Sequence, residues 1–320
     1  MLSKIVAAMC ISFAVGAISG PVVIPLLHRL KFGQTVRKEG PETHLKKSGT
    51  PTMGGVMFIL GILIASIPFA SEYTDVIPVL FLTIMFGVIG FLDDFIKVKK
   101  KRSTGLYAWQ KFLLQIVVTG IFAYFLTDTE GIDLMIRIPF TDKMADPGIF
   151  GIPLLFFVVL GTDTGSNFTD GLDGLASSVT AVIALFFVAV SLTCGESSGG
   201  AIVAAAVFGG LLAFLLFNAY PAKVFMGDTG ALALGGFVAG MAYMIHMPLF
   251  LPFVAIIYVI EVLSVIMQVS YFKLTHGKRI FKMAPIHHHF EKCGWSETRI
   301  VTVFTVITIL MCMICLAGVK

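Results

Sequence analysis

Residues 149–193 read IFGIPLLFFVVLGTDTGSNFTDGLDGLASSVTAVIALFFVAVSLT, which places a short polar run between two strongly apolar ones. Each apolar run approaches the roughly 20 residues that a helix needs to cross a bilayer. The polar run, Asn167 to Asp173, contains two acids, and acids beside a membrane are costly unless they have a function. The stretch therefore predicts two transmembrane helices that meet a functional site.

The composition of the whole chain agrees with a membrane protein. Of its 320 residues, 57% are hydrophobic and 13% are charged, and the mean hydropathy is +0.93. These values exclude a water-soluble globular protein. We predict a single integral membrane domain over residues 1–320, an all-α polytopic bundle of ten transmembrane helices. The predicted spans are 3–27, 53–70, 77–94, 108–127, 149–166, 175–193, 200–218, 230–246, 249–272 and 299–318.

Basic residues predict how this bundle is oriented. Of the 23 Lys and Arg residues, 19 lie in alternate loops, and basic loops favour the cytoplasm. These loops lie near 28–52, 93–111, 218–229 and 272–299. We therefore expect both termini outside, with an extracytoplasmic segment near 128–149 whose alternating Ile136, Ile138 and Phe140 predict a short hairpin. The net charge of +4 suits an anionic membrane surface, and we expect no nucleic acid partner.

Carboxylates also lie at the cytoplasmic ends of other predicted spans. Asp93 and Asp94 end one apolar run, and Asp228 follows another. Each has a simpler interpretation: the pair as a helix end balanced by Lys97–Arg102, and Asp228 as a helix N-cap. If these ends share one membrane face, the acids meet, and carboxylates repel one another unless a cation lies between them. Oxygen-only ligation favours magnesium, which shares itself with substrate phosphates.

The run that begins at Asn167 is the sharpest motif. Asn167, Asp170 and Asp173 are three residues apart, which predicts that they share one face of a helix. Gly171 leaves the backbone open to the approach of a ligand. The sequence has no G-x-x-x-x-G-K-[ST] motif, so it does not indicate an ATP-binding P-loop.

Two loops add candidate residues. The loop that begins at Asn218 contains Phe225, a flat apolar surface on which a base can stack. The loop near 272–299 contains His287–His289, of which one or two should enter the site, because three successive histidines cannot all face one point. A zinc site with Cys293 is the alternative, but the spacing matches no standard ligand pattern.

One predicted span carries polar residues of its own. Glu261 lies deep in an apolar run, so we expect it to point inward and to be paired. Gln268 is seven residues further on, and two turns of helix place it on the same face.

These motifs resemble those of a known family through essentially the whole chain. Five segments are similar to signatures of the phospho-N-acetylmuramoyl-pentapeptide transferase family, a branch of the polyprenyl-phosphate N-acetylhexosamine-1-phosphate transferases. The five segments are Gly49–Gly55, Asp93–Asp94, Asn167–Leu175, Phe225–Gly230 and Pro285–Glu291. Asp163 and Thr164 depart from the expected Ser-Asn pair and add a carboxylate, and Ala231 replaces the usual Ser.

The resemblance implies a magnesium-dependent enzyme of peptidoglycan synthesis in the bacterial cytoplasmic membrane. Its reaction transfers phospho-MurNAc-pentapeptide from UDP-MurNAc-pentapeptide to undecaprenyl phosphate, which gives lipid I and UMP. It also implies ten helices with both termini outside, and partners that comprise these two substrates and membrane lipids. A homodimer is compatible with the resemblance.

The resemblance also implies roles for individual residues. Asp228 is the leading magnesium ligand, Asp93 lies beside the attacking lipid phosphate, and Asp94 supports the metal or positions a substrate. His288 joins these three as a catalytic residue. The residues implied in substrate binding are Lys47, Thr52, Asn167, Asp170, Gly171, Asp173, Asn218, Phe225, Gln268, His287 and His289.

Two other functions and one other mechanism stay open. A sister enzyme that transfers GlcNAc phosphate to the same lipid would share the acids, although the His287–His289 cluster argues against it. A cation transporter would place its acids near mid-membrane at broken helices. A covalent aspartyl intermediate on Asp93 is the alternative to direct attack.

Overall fold

A computed structural model describes residues 1–30, 47, 49–100, 102, 104–128, 134–141, 143–195 and 197–319. Within these residues the chain is almost entirely helical. We number the helices α1 (Leu2–Arg29), α2 (Gly55–Ser66), α3 (Val76–Lys99), α4 (Ala108–Asp128), α5 (Gly151–Thr169), α6 (Leu175–Cys194), α7 (Ser198–Asn218), α8 (Gly227–Met244), α9 (Leu251–Val254), α10 (Ile256–Leu274), α11 (Ile286–Lys292) and α12 (Glu297–Ala317).

Eight helices in the described part of the chain are long and apolar enough to cross a membrane. They are Leu2–Arg29, Val76–Lys99, Ala108–Thr127, Gly148–Thr169, Leu175–Cys194, Ser198–Asn218, Ile256–Leu274 and Glu297–Ala317. The expectation of an all-α polytopic membrane protein is confirmed at this level. The helix α2 with its following turn, Gly55–Phe69, is shorter. The count of ten spans and the outward termini stay predictions.

The core of the bundle is built around α8. Every residue of α8 from Thr229 to Met244 is buried, and α3 and α5 pack along it. Small residues at these interfaces allow the helix backbones to approach closely. At Gly90 of α3, a side chain would collide with the backbone carbonyl of Asp228, so the two helices touch at the level of their backbones.

Two sequence predictions about the acids are wrong in detail. Asp93 and Asp94 do not end a helix, because α3 continues to Lys99, where lysines in the last turn favour the helix C-terminus. Asn167, Asp170 and Asp173 do not share one helix face, because α5 ends at Thr169 and a turn follows.

Asp228 also differs from the simpler interpretation given to it. It lies in the first turn of α8, where Met226 is the N-cap residue. A carboxylate is favourable there, because the N-terminal end of a helix carries a partial positive charge. The N-cap interpretation of Asp228 is therefore wrong.

The span predicted at 249–272 is interrupted. A 3-10 turn over Pro248–Phe250 and the short helix α9 precede a break at Ala255, after which α10 begins. Pro252 near the start of α9 is compatible with a helix beginning there. Because of this break, Glu261 and Gln268 lie on a helix, α10, that is separate from α9.

The loops differ in how much of them the structure describes. Between α4 and α5, strands Ile136–Arg137 and Met144–Ala145 form an antiparallel pair, with Ile136 opposite Ala145. Residues 129–133 and 142 of this predicted hairpin segment lie outside the described residues. The same holds for 31–46 and 48 of the predicted basic loop near 28–52.

Candidate active site

Three carboxylates from two helices form a compact group, which we call the carboxylate cluster. Asp93 and Asp94 come from α3, Asp228 comes from α8, and one oxygen of each lies within 4.8 Å of the others. Asp93 and Asp94 are 3% and 2% exposed. The carboxyl groups of Asp93 and Asp228 interact directly. Repulsion within such a group calls for positive charge nearby.

Two lysines supply that charge. Lys97 Nζ lies 2.6 Å from Asp93 Oδ2, 3.6 Å from Asp94 Oδ1 and 3.1 Å from Asp228 Oδ2. Lys111 Nζ, from the first turn of α4, lies 2.8 Å from the same Asp228 oxygen. Both ammonium groups therefore converge on Asp228.

Backbone and hydroxyl donors hold the acids of α3 in place. Asp94 Oδ2 accepts hydrogen bonds from Thr229 N at 2.9 Å and from Thr229 Oγ1 at 2.8 Å. Asp93 Oδ1 accepts one from Leu106 N at 2.8 Å. These bonds fix the orientation of Asp93 and Asp94 without neutralising their charge.

A fourth acid, Asp163 of α5, lies deeper in the bundle. It is 1% exposed, and its Oδ2 accepts a hydrogen bond of 2.5 Å from Gln115 Nε2 of α4. Its Oδ1 lies against Gly235 of α8 and has no hydrogen-bond partner among the described residues. The charges of Lys111 and Asp228 act on it. The departure noted in the sequence thus adds a buried carboxyl group next to the carboxylate cluster.

The cluster fits a divalent cation. Its donors are carboxylate oxygens alone, which are the ligands that magnesium prefers in proteins. Asp93, Asp94 and Asp228 carry more negative charge than Lys97 and Lys111 can balance when all are ionised. The predicted metal ligand Asp228 is therefore part of a larger donor set that includes both acids of α3.

A second ionic group lies at the turn after α5. Lys47 Nζ contacts Asp173 Oδ1 at 2.7 Å and Glu297 Oε2 at 2.6 Å. Burial lowers the pKa of Lys47, but hydrogen bonds to the two carboxylates outweigh it and leave this pKa above its usual value. Asp173 Oδ2 also accepts a hydrogen bond of 2.9 Å from Ala222 N. Lys47 and Asp173, which were both predicted to bind substrate, are therefore in direct contact.

Asp170 is close enough to both groups to interact with their charges. Burial, together with the negative charges of Asp228, Asp94 and Asp173, raises the pKa of Asp170 well above its usual value. A carboxyl group in this position responds to any positive charge that enters the site.

The loop before α8 is tied to the segment before α2. Phe225 N donates a hydrogen bond of 2.9 Å to Pro51 O, and Gly54 N donates one of 2.8 Å to Phe225 O. Thr52 lies beside Gly227, next to Asp94. These two predicted substrate residues, Thr52 and Phe225, are thereby brought to the rim of the carboxylate cluster.

Two predicted binding residues have mainly internal surroundings. Asn218 is buried, its Nδ2 donates to Val224 O at 3.0 Å, and its Oδ1 accepts from Ser177 Oγ at 3.0 Å. The Nδ2 of Asn167 is buried without a hydrogen-bond partner in the described part of the chain. Asn218 thus shapes its loop, whereas the Asn167 amide has a donor to spare.

The three histidines differ in their surroundings, as the sequence led us to expect. His287 Nδ1 lies 3.0 Å from Glu261 Oε1, and His288 Nδ1 lies 2.7 Å from Glu291 Oε2. His289 instead accepts a hydrogen bond of 3.1 Å from Lys282 N. The prediction that Glu261 points inward and is paired is confirmed.

Gln268 lies further along α10 and holds the loop before α11. Its Oε1 accepts hydrogen bonds from Phe281 N at 2.9 Å and from Ile280 N at 3.2 Å. The Nε2 of His289 approaches Cys293 Sγ at 3.7 Å, a contact of two residues that does not resemble a four-ligand zinc site.

Sequence reasoning missed several members of the site. Lys111 counts among the basic residues of the predicted loop near 93–111, but it also falls within the predicted span 108–127, where a charge is itself a sign of function. Gln115, one helical turn later, carried no such sign. Glu297 pairs with Lys47 across 250 residues, a contact that only the folded chain reveals.

The fold and the site together define a class, the multi-span membrane proteins with a buried acidic cluster that can hold a divalent cation. A family model described as glycosyl transferase family 4 matches residues 76–246, which include Asp93, Asp94 and Asp228. A signature model of phospho-N-acetylmuramoyl-pentapeptide-transferase matches residues 47–59.

Curated relatives named phospho-N-acetylmuramoyl-pentapeptide-transferase match nearly the full chain. The chain is 52% identical over 316 residues to one from Clostridium perfringens, with 98% of each chain covered. It is 50% identical over 304 residues to one from Acetivibrio thermocellus, with 95% of this chain and 92% of the relative covered. A relative from Clostridium kluyveri is 46% identical over 312 residues, with 97% and 98% covered. The chain belongs to the phospho-N-acetylmuramoyl-pentapeptide-transferase family.

Proposed function

We propose that this protein transfers phospho-MurNAc-pentapeptide from UDP-MurNAc-pentapeptide to undecaprenyl phosphate and so forms lipid I and UMP in peptidoglycan synthesis. The observation that carries the chemistry is the carboxylate cluster with Lys97 and Lys111. Identity near 50% over almost the whole length of the relatives supports the choice of substrates.

The reaction brings two phosphate anions together, so positive charge is its first requirement. Asp93, Asp94 and Asp228 would hold magnesium, which neutralises charge on the phosphates when it is bound. Lys97 and Lys111 add two cations beside the same acids. The lysines bind and orient the diphosphate, and the bundle keeps the reacting groups in line.

The acceptor needs little help from a base. A phosphate monoester has a second pKa of about 6, so near neutral pH it is already largely ionised. Asp93, held by Lys97 and by Leu106 N, therefore positions the acceptor rather than activating it. We propose direct in-line attack, and inversion of configuration at the transferred phosphorus is the expected outcome. Retention would indicate a covalent intermediate on an aspartate instead.

The nucleotide and the sugar are assigned to different parts of the site. Lys47, Thr52, Asn167, Asp170, Gly171, Asp173, Asn218, Phe225 and Gln268 form the proposed nucleotide region. Phe225 is partly exposed and offers its ring to the uracil base. The residues His287, His288 and His289 form the proposed sugar-phosphate region, with His288 nearest the reaction.

The proposed orientation places this chemistry in the bacterial cytoplasmic membrane, with ten spans, outward termini and the site on the cytoplasmic face. A single cysteine in place of exposed Lys278 should react with a membrane-impermeant thiol reagent only in inside-out vesicles. One in place of exposed Lys143 should react only in intact spheroplasts. Labelling of both positions from one side would contradict the orientation, and a cysteine-free variant serves as the background control.

The transfer itself is tested with purified protein, undecaprenyl phosphate and magnesium. UDP-MurNAc-pentapeptide should yield lipid I, and chelator should abolish the reaction until magnesium or manganese is restored. UDP-GlcNAc should be used far more slowly, because a site built for one substrate's polar groups leaves its own groups unpaired with another. Comparable rates with both donors would move the protein to the sister GlcNAc-phosphate branch.

A second outcome would reject the metal assignment alone. Full turnover in excess chelator would show that the carboxylate cluster does not need a divalent cation. The donor comparison would still stand in that case, because it does not depend on the cofactor.

A further inference from the structure

A buried hydrogen bond joins α10 to the helix of the histidines. His287 Nδ1 lies 3.0 Å from Glu261 Oε1, and the two side chains are 1% and 0% exposed. Glu261 comes from the interior of a membrane-spanning helix, where an ionisable side chain needs a partner. Since an ionised carboxylate can only accept, the His287 ring carries its proton on Nδ1 when it is neutral.

The other edge of the same ring faces the turn after α5. Nε2 of His287 is directed at Gly171, where an added Cβ would collide with the imidazole. Glycine permits this close approach because it has no side chain. Nε2 is buried and has no hydrogen-bond partner among the described residues, so its contact is one of packing against the turn.

The turn that His287 contacts carries two acids of the proposed site. Asp170 precedes Gly171 directly, and Asp173 follows it by two residues and binds Lys47. Leu172, between them, is 4% exposed. Asp173 is also held by Lys47 and by Ala222 N, whereas the backbone beside Asp170 packs against the His287 ring.

We propose that Glu261 is a positioning residue that acts through His287. Its carboxylate fixes the imidazole, and the imidazole fixes the turn from Asp170 to Gly174. A carboxylate that orients a histidine through its second ring nitrogen commonly controls a functional site in this way. His287 accordingly lies where the proposed sugar-phosphate and nucleotide regions meet and supports the turn of the nucleotide region, whereas His288 is the ring that contacts substrate. The effect on turnover rests on the proposed function, but the effect on the turn does not.

The first test needs no substrate. A cysteine in place of Leu172, in a variant that keeps Cys315 as its other cysteine, should resist a water-soluble maleimide. Adding Glu261→Ala should expose it and raise its labelling rate at least about tenfold, while Glu261→Gln, which keeps an acceptor oxygen, should stay within about threefold of the parent. Cys315 is fully buried and should stay unlabelled throughout, which reports that the bundle is folded.

A matched control and a second variant complete this test. Ser264→Ala removes a buried hydroxyl from the same helix, where it bonds the Glu261 carbonyl, and should leave the labelling of the cysteine at 172 unchanged. Gly171→Ala puts a methyl group into the same contact, against the His287 ring, and should expose the same cysteine with Glu261 intact. It decides the question if Glu261→Ala does not fold. A cysteine that stays protected in the folded Glu261→Ala variant, or in Gly171→Ala, would overturn the proposal.

The second test separates positioning from general damage. Glu261→Ala should raise the KM for UDP-MurNAc-pentapeptide roughly tenfold and leave the KM for undecaprenyl phosphate within about twofold. Glu261→Gln should restore most of the donor KM. Equal losses for both substrates, or no rescue by glutamine, would overturn the proposal. A protein whose labelling follows the prediction, but which transfers sugar phosphate from neither UDP-MurNAc-pentapeptide nor UDP-GlcNAc, would instead contradict the proposed function.

Discussion

The carboxylate cluster and the histidine region, which comprises His287–His289, differ in how their polar side chains are paired. In the cluster, Asp93, Asp94 and Asp228 share Lys97 and Lys111, and both lysines reach the same oxygen of Asp228. Around the histidines, each ring has its own contact: Glu261 for His287, Glu291 for His288 and the amide of Lys282 for His289.

The charged side chains of the carboxylate cluster can be rearranged, whereas the contacts of the histidine region are fixed. Lysine is a compact charge on a flexible chain, and it can move aside when a divalent cation or a phosphate arrives. A buried imidazole held by one carboxylate has no such freedom, because losing its partner would leave a buried polar group without a hydrogen bond. The first region is therefore suited to exchanging partners and the second to holding a shape.

The largest expected effect comes from removing the acid that both lysines share. Asp228→Asn should lower turnover at least about a hundredfold, because a lost charge-stabilising ligand is commonly worth a few kcal/mol. Initial rates with UDP-MurNAc-pentapeptide at saturating magnesium measure the loss. Asp146→Asn, an exposed acid in the segment between α4 and α5, should change the rate little. A rate within about threefold of the parent would show that the cluster is not the reaction centre.

Replacing Lys111, the lysine of α4, should lower turnover by a smaller factor and should strengthen magnesium binding. Lys111→Met should lower turnover about tenfold, equivalent to about 1.4 kcal/mol, because a cation beside the phosphates is lost. The magnesium concentration for half-maximal rate should fall at the same time, since Lys111 no longer competes for the oxygen of Asp228. Rates across a magnesium titration measure both changes. Lys100→Met, at the exposed end of α3, is the control.

A rise in the magnesium requirement of Lys111→Met would contradict this view. It would mean that the lysine holds the cluster in shape rather than competing with the metal. The carboxylate cluster would then be as fixed as the histidine region, and the contrast between them would disappear.

The smallest expected effects lie among the histidines. His289→Gln keeps an acceptor near Lys282 N and should change turnover by less than about threefold. His288→Ala should lower turnover about tenfold while changing UMP affinity much less, because the ring is assigned to the sugar-phosphate end. Turnover assays and calorimetric titration with UMP distinguish the two. Equal losses of UMP affinity and turnover in His288→Ala would place His288 in the nucleotide region instead.

The sequence was sufficient for the fold class and for much of the site. Long apolar runs identify membrane helices because the bilayer leaves few alternatives, and the acids beside them stand out against that background. Asp93, Asp94 and Asp228 could therefore be brought together by reasoning from span ends alone. The inward position of Glu261 also followed, because a buried acid requires a partner, but the identity of that partner, His287, did not.

Other features depend on packing and could not be derived from local pattern. The spacing of Asn167, Asp170 and Asp173 fits a helix equally well, but the glycines of this segment allow a turn after Thr169. The break at Ala255 lies inside a uniformly apolar run, so hydropathy gives no sign of it. Lys47 and Glu297 are 250 residues apart, so no periodic pattern in the sequence indicates that they pair.

The contact at Gly90 extends the site's constraints to a residue that has no functional group. Since α3 and α8 touch there at the carbonyl of Asp228, the separation of the acids on the two helices is set by backbone contact. A single methyl group at Gly90 would push Asp228 away from Asp93 and Asp94 while leaving every charge in place. Genetic variation around this site is therefore limited by geometry as strictly as by chemistry. A selection for inactive variants should recover Gly90→Ala alongside changes to the acids themselves.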